Sequence, residues 1–152
     1  MTKMMPKNDT LYEQDFLAWC EDTATKLKKR DIDNLDFENL IEEIESLGRS
    51  ERRELKNRLM VLFAHLLKRM YVNSPENFNG WEVTIVEQRK QIKGLLKDSP
   101  SLKPYLTEIL AEVYTDALDI LTPEYKQTEF PDTWQFNIET DMLLSEKYWE
   151  KE

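Results

Sequence analysis

Four polar residues, Asp36, His65, Gln88 and Arg89, fall where helical periodicity places apolar neighbours or a narrow polar edge, and together they could hold or transform a small ligand. His65 is the single histidine of the chain, and histidine is the side chain whose ordinary pKa permits proton transfer near neutral pH. On a helical wheel it lies about 120° from the centre of the stripe Leu55, Leu59, Leu62, Phe63, Leu66, Leu67 and Met70, beside Glu54, Arg58 and Arg69. Such a place suits a partly exposed histidine hydrogen-bonded to a neighbour, or one with a catalytic or ligand-holding role. Which carboxylate serves it depends on a turn at Gly48. In a tight hairpin there, His65 stands about 22 Å along its helix, Asp36 about 18 Å and Glu42 only about 9 Å from the turn. Asp36 and Asp33 are then the expected neighbours, and either would raise the pKa of His65.

Gln88 lies near the centre of the stripe Trp81, Ile85 and Ile92, flanked by Thr84. A buried amide without partners costs about 1–3 kcal/mol. Gln88 is therefore expected to be buried in a polar network, with Arg89, Tyr71 or Asp36 as candidate members. That network would either specify the fold or floor a ligand pocket.

Other chemistry is poorly supplied. Glu38, Glu42 and Glu45 share a helical face and could bind a hard cation or act as acid and base. A di-iron bundle needs glutamate three residues before histidine, where His65 has Leu62. Arg49 follows Glu45 by four residues, which favours a salt-bridged surface. Cys20, the one cysteine, excludes an intrachain disulfide and a cysteine-rich zinc site. Among Phe16, Trp19 and Thr23 it reads as a small packed hydrophobe. Glycine-rich phosphate loops, serine elbows and histidine–glutamate zinc motifs are absent from the sequence. No metal or cofactor is expected.

The elements that must position these residues read as helices. A chain of 152 residues with 40% hydrophobic side chains can bury a core, and three glycines are too few for a sheet with many tight turns. Thr10 and Glu13 form a capping box opening a helix to about Lys29, with Tyr12, Phe16, Trp19, Cys20 and Leu27 as its stripe. Asp36 caps a second helix carrying Phe37, Leu40, Ile41, Ile44 and Leu47, and Gly48 marks its end. Ser50 opens a third, apolar on most sides and therefore central. Asn73 to Gly80 reads as a loop, Trp81 to Lys97 as a fourth helix, and Ser99-Pro100 as the start of a fifth that ends at Thr122-Pro123. The remainder carries Phe130, Trp134, Phe136, Ile138, Met142, Leu143 and Trp149. The fold expected is all-α, a compact helical bundle of about five helices with a short aromatic-rich C-terminal tail. It forms a single domain over residues 1–152, with 1–9 disordered and 126–152 packed on the bundle or on a partner.

Charge and hydropathy narrow the partners. A formal charge of −9 repels phosphate backbones, which disfavours nucleic-acid binding. The local exception is Arg49, Arg52, Arg53, Lys56 and Arg58, interleaved with Glu45, Glu51 and Glu54. No stretch approaches the roughly 20 apolar residues of a membrane span, and residues 1–9 contain no signal-like apolar run. The expected location is the cytoplasm.

Several stretches taken together resemble a known family. They are Tyr12 to Trp19 (YEQDFLAW), Asp36 to Leu55 (DFENLIEEIESLGRSERREL), Ala64 to Lys68 (AHLLK), Trp81 with Thr84-Ile85 and Glu87-Gln88-Arg89, and Ser99 to Leu102 (SPSL). In order and spacing they are similar to the bacterial family catalogued as domain of unknown function twenty-nine, from Tyr12 to about Tyr125. Near the late tryptophan, where the family pattern has a cysteine-proline pair, this chain has Thr133-Trp134. The resemblance implies a small helical bacterial domain and carries no established activity and no catalytic residues. Three functions stay open. The first is a helical interaction module that binds a protein partner or pairs as a homodimer, through apolar surface including the tail. The second is a small enzyme or ligand-binding bundle using Asp36, His65, Gln88 and Arg89. The third is nucleic-acid binding through the Arg49–Arg58 patch.

Overall fold

Helix formers dominate the chain between its proline and asparagine punctuation, and helices are what form. The computed structural model describes residues 7–137 and 139–150. Among these are six α-helices rather than five: α1 (Lys7–Gln14), α2 (Phe16–Lys28), α3 (Phe37–Tyr71), α4 (Pro75–Asp98), α5 (Leu102–Glu124) and α6 (Thr140–Leu143). Two 3-10 turns, Ile32–Asn34 and Tyr148–Glu150, complete the regular structure. The expectation of disorder concerns residues 1–6, outside the described residues, and 7–9, which lie in α1. Ile138 is also outside the described residues.

The additional helix arises at Asp15. Its backbone leaves the helical region (φ −150°, ψ 87°), and its carboxylate accepts from the Ala18 amide at 3.0 Å. Aspartate is a strong N-cap because it satisfies an amide that the first turn leaves without a partner. The stretch from Thr10 to Lys29 therefore divides into α1 and α2. At the other end of α2, Arg30 takes a left-handed conformation (φ 61°) and donates from its guanidinium to the Leu27 carbonyl at 2.9 Å.

Two expected breaks do not occur. Gly48 lies inside α3, which runs 35 residues from Phe37 to Tyr71. No proline or asparagine adjoins it, and Arg49, Ser50 and Glu51 all continue a helix. Asn79-Gly80 likewise lies inside α4, which starts at Pro75 with Ser74 as its N-cap. Proline at the first helical position needs no amide partner and supplies the right φ, so Ser74-Pro75 opens a helix rather than a loop.

The chain gathers into two compact units, one ending at Arg49 and one beginning at Ser50. In the first, Trp19, Thr23 and Leu35 are buried. Trp19 meets Tyr12 edge-on at 4.9 Å and stacks with Phe16 at 5.8 Å. Its indole donates to Asp36 at 3.3 Å, and the Tyr12 hydroxyl donates to Glu43. These bonds tie α1 and α2 to the start of α3.

The second unit holds the main core. Leu55, Leu59, Leu62, Phe63, Leu66 and Leu67 of α3 are all buried against Ile85 and Ile92 of α4 and Leu106, Leu110 and Val113 of α5. Each such side chain contributes about 1.5–3 kcal/mol by leaving water. Leu143, Leu144 and Tyr148 belong to the same core, with Phe130, Trp134, Phe136 and Trp149 packed against it. Trp134 meets Phe63 and Tyr148, each at 5.1 Å between ring centroids. The tail thus packs on the bundle.

Candidate functional site

Arg89 is the most unusual of the four polar residues. It sits on α4 among Trp81, Ile85, Ile92 and Leu96, and only 7% of it is exposed. Its Nε donates to the Leu143 carbonyl at 3.0 Å, and one terminal nitrogen donates to the Glu146 carbonyl at 2.6 Å. The Leu143 carbonyl is the last of α6, where helical carbonyls lack partners, and the Glu146 carbonyl lies just past the turn that follows. Burial lowers the guanidinium pKa, while Tyr148 and Glu146 act in the opposite direction. Arg89 is therefore the polar pin that fixes the tail to α4.

Gln88 is half-buried at the edge of this helix, not buried within it. Its carbonyl accepts from Arg58 at 3.2 Å, and Arg58 also pairs with Glu54 at 2.8 Å. These groups line a shallow cleft of about 400 Å³ with Ser50, Arg53 and Asn57. The periodicity of α4 admits either Gln88 or Arg89 as the inward polar group. Packing of the tail draws the buried face toward Arg89.

His65 places Nδ1 2.8 Å from the Val61 carbonyl, so Nδ1 is the donor. Burial pushes its pKa below the ordinary 6.5; the Val61 bond opposes this, and Lys68 reinforces it. The expected rise does not occur, because the hairpin that would have brought Asp33 or Asp36 alongside is absent. Asp36 instead accepts from Trp19, from the Asn39 amide at 3.3 Å and from the Asn39 side chain at 2.7 Å, as an N-terminal cap of α3. His65, Gln88 and Arg89 thus engage three separate sets of partners, and Asp36 is occupied within the N-terminal unit.

The remaining charged candidates are largely neutralised. Arg49 pairs with Glu42 at 2.6 Å, Lys56 with Glu112 and Arg58 with Glu54. Arg52 lies over the Tyr105 ring at 5.8 Å. Among the described residues, no three histidine, cysteine or carboxylate side chains converge into a metal-holding group. No helix there is long and apolar enough to cross a membrane.

What the N-terminal unit leaves open is apolar. Phe37, Ile41, Ile44 and Leu47, three or four residues apart along α3, are 47%, 53%, 60% and 70% exposed. Phe16 and Leu17 of α2 are exposed as well. The sequence shows this stripe clearly, and a hairpin would have turned it inward. The helix-compatible residues after Gly48 were the signal against that hairpin.

No curated protein and no solved structure matches the chain. A family model does, and it extends past Tyr125 through the aromatic tail that the core absorbs. Matched over residues 11–149, the chain belongs to the family described as Domain of unknown function DUF29.

Proposed function

We propose that the protein is a helical interaction module whose partner is a second copy of itself, joined through the apolar face of α3 between Phe37 and Leu47. The observation that carries this reading is the exposure of four large apolar side chains at consecutive helical spacing. Monomers rarely leave such a contiguous patch in water.

Each half-exposed aromatic or aliphatic side chain presents on the order of 100 Å², so the four on α3 supply about 800 Å² to a two-copy interface, and Phe16 and Leu17 of the same unit raise its exposed apolar total to about 1,200 Å². Charge favours an antiparallel pairing. Ile41 of one copy then lies opposite Ile44 of the other, and Phe37 opposite Leu47. The same register sets the Arg49 end of each helix against the Asp36 end of its mate. A parallel pairing would stack each glutamate row on its own copy. The central carboxylates are already engaged, Glu42 by Arg49 and Glu43 by Tyr12, which reduces repulsion across the pair. Self-complementary contact of this kind closes as a two-fold dimer.

Sedimentation velocity at micromolar concentration tests the proposal. The intact protein should run as a dimer, and Ile44→Glu should run as a monomer with unchanged helix content. An intact chain that sediments as a monomer overturns pairing with itself and leaves a different protein as occupant of the face.

A further inference from the structure

The acidic chain carries one face of opposite sign that its internal ion pairs do not consume. Lys90, Lys93 and Lys97 recur along α4 at helical spacing, so they share a side of the helix over about 10 Å. Lys103 of α5 and Lys147 of the tail stand beside them. All five are exposed, and none forms an ion pair with another described residue. Basic residues between Arg49 and Arg58, by contrast, are mostly paired.

These lysines line two adjoining clefts between α4 and the tail. One, of about 560 Å³, has Arg89, Lys90, Lys93 and Lys147 for its charged wall and Val86 and Trp149 for its apolar one. The other, of about 470 Å³, is lined by Lys93, Lys97 and Lys103 with Leu96 and Leu144. Lys93, Leu144 and Ser145 belong to both, so the two form one groove. Its acidic residues are Glu82, which is engaged by Arg69 at 2.6 Å, and Asp141. Five exposed lysines therefore face two carboxylates, on a molecule whose formal charge is −9; Arg89 beneath them is committed to the tail carbonyls and lies near Glu146.

A cluster of one sign draws anions locally even where the net charge is negative. Lysine ammonium groups are compact point charges that suit phosphate oxygens, whereas one carboxylate would be satisfied by a single arginine fork. A groove of this volume suits a small ligand, and its apolar walls suit an organic body between charged groups. The tail forms one wall, so the buried Arg89 pin that holds the tail also holds the groove.

We propose that the groove between α4 and the tail binds a small molecule carrying two or more phosphate groups, with Lys93 at its centre. This is independent of the pairing through α3, which uses the other unit.

Isothermal titration calorimetry of the full chain with inorganic tripolyphosphate, at low salt, tests it. Wild type should bind saturably with one ligand per chain. Lys93→Glu should weaken binding by about tenfold or more, while Lys126→Glu, which changes net charge equally outside the groove, should stay within about twofold. Circular dichroism should show both variants folded, since both lysines are exposed. The proposal is overturned if wild type shows no saturable binding at millimolar tripolyphosphate, or if both variants weaken alike. It is equally overturned if a single-stranded oligonucleotide binds in a Lys93-dependent way and tripolyphosphate does not, which would make the face a nucleic-acid surface.

Discussion

At the scale of single residues, the polar groups divide into those that hold the fold and those that merely tolerate it. Arg89→Met keeps most of the volume but leaves the Leu143 and Glu146 carbonyls without their donor. Leaving a buried acceptor unpaired costs about 1–3 kcal/mol, so urea unfolding should show a loss in that range. Limited proteolysis should also cut the loosened tail first. Gln88→Leu removes one bond from a half-exposed amide and should change stability by less than about 1 kcal/mol; a larger loss would mean that Gln88 belongs to a buried network after all. His65 gives a pH test. Folding lowers its pKa, so the folded state binds fewer protons than the unfolded chain. Its stabilising contribution is therefore complete above pH 6.5 and is lost as the pH falls from there through the folded value. A proton-resonance titration should place its midpoint below 6.5, and His65→Gln should flatten the acid side of the stability profile. A midpoint above 6.5 would mean that an acidic group stands next to the ring.

The element that decides most is α3. Its continuity through Gly48 rests on the absence of any competing stop, since that glycine has a negative φ and open space around its Cβ position. Gly48→Ala should then stabilise the protein by about 0.5–1 kcal/mol, the ordinary gain for an exposed helix interior. A left-handed turn glycine would respond in the opposite sense, so a drop in melting temperature would restore the hairpin. The same element shows that an apolar helical stripe need not be core, since Phe37, Ile41, Ile44 and Leu47 share a face that stays exposed. Helical periodicity says which residues share a face, but not what covers it. The start of α4 gives a similar lesson, because Pro75 opens a helix while Asn79-Gly80, a frequent turn pair, is carried along inside it.

At the scale of the molecule, the tail is core and the N-terminal unit carries the open apolar surface. Deleting the residues after Thr133 removes Trp134, Leu143, Leu144 and Tyr148 from the core of the second unit. The product should be unfolded or aggregated by circular dichroism and light scattering, rather than a stable monomer released from a dimer. A folded, soluble product would show that the tail's aromatics are dispensable to the core. Ile44→Glu tests the apolar surface of the N-terminal unit, where charge is expected to change association and leave folding intact.

The helical class, the stripe of α3 from Leu55 to Leu67 and the family were all readable in the sequence, because a core-facing helix repeats its apolar residues with the helical period whatever it packs against. Asp36 as a cap was readable for the same local reason: it satisfies amides within its own first turn. Other features depended on groups far apart in the chain. Arg89 rather than Gln88 faces inward because the carbonyls of Leu143 and Glu146 arrive beside it. The pKa of His65 falls rather than rises because burial outweighs the Val61 bond that opposes it. The lysine-lined groove exists only once residues 140–149 lie along α4. Periodicity determines which side chains share a face; only tertiary packing decides which face is covered, and by what.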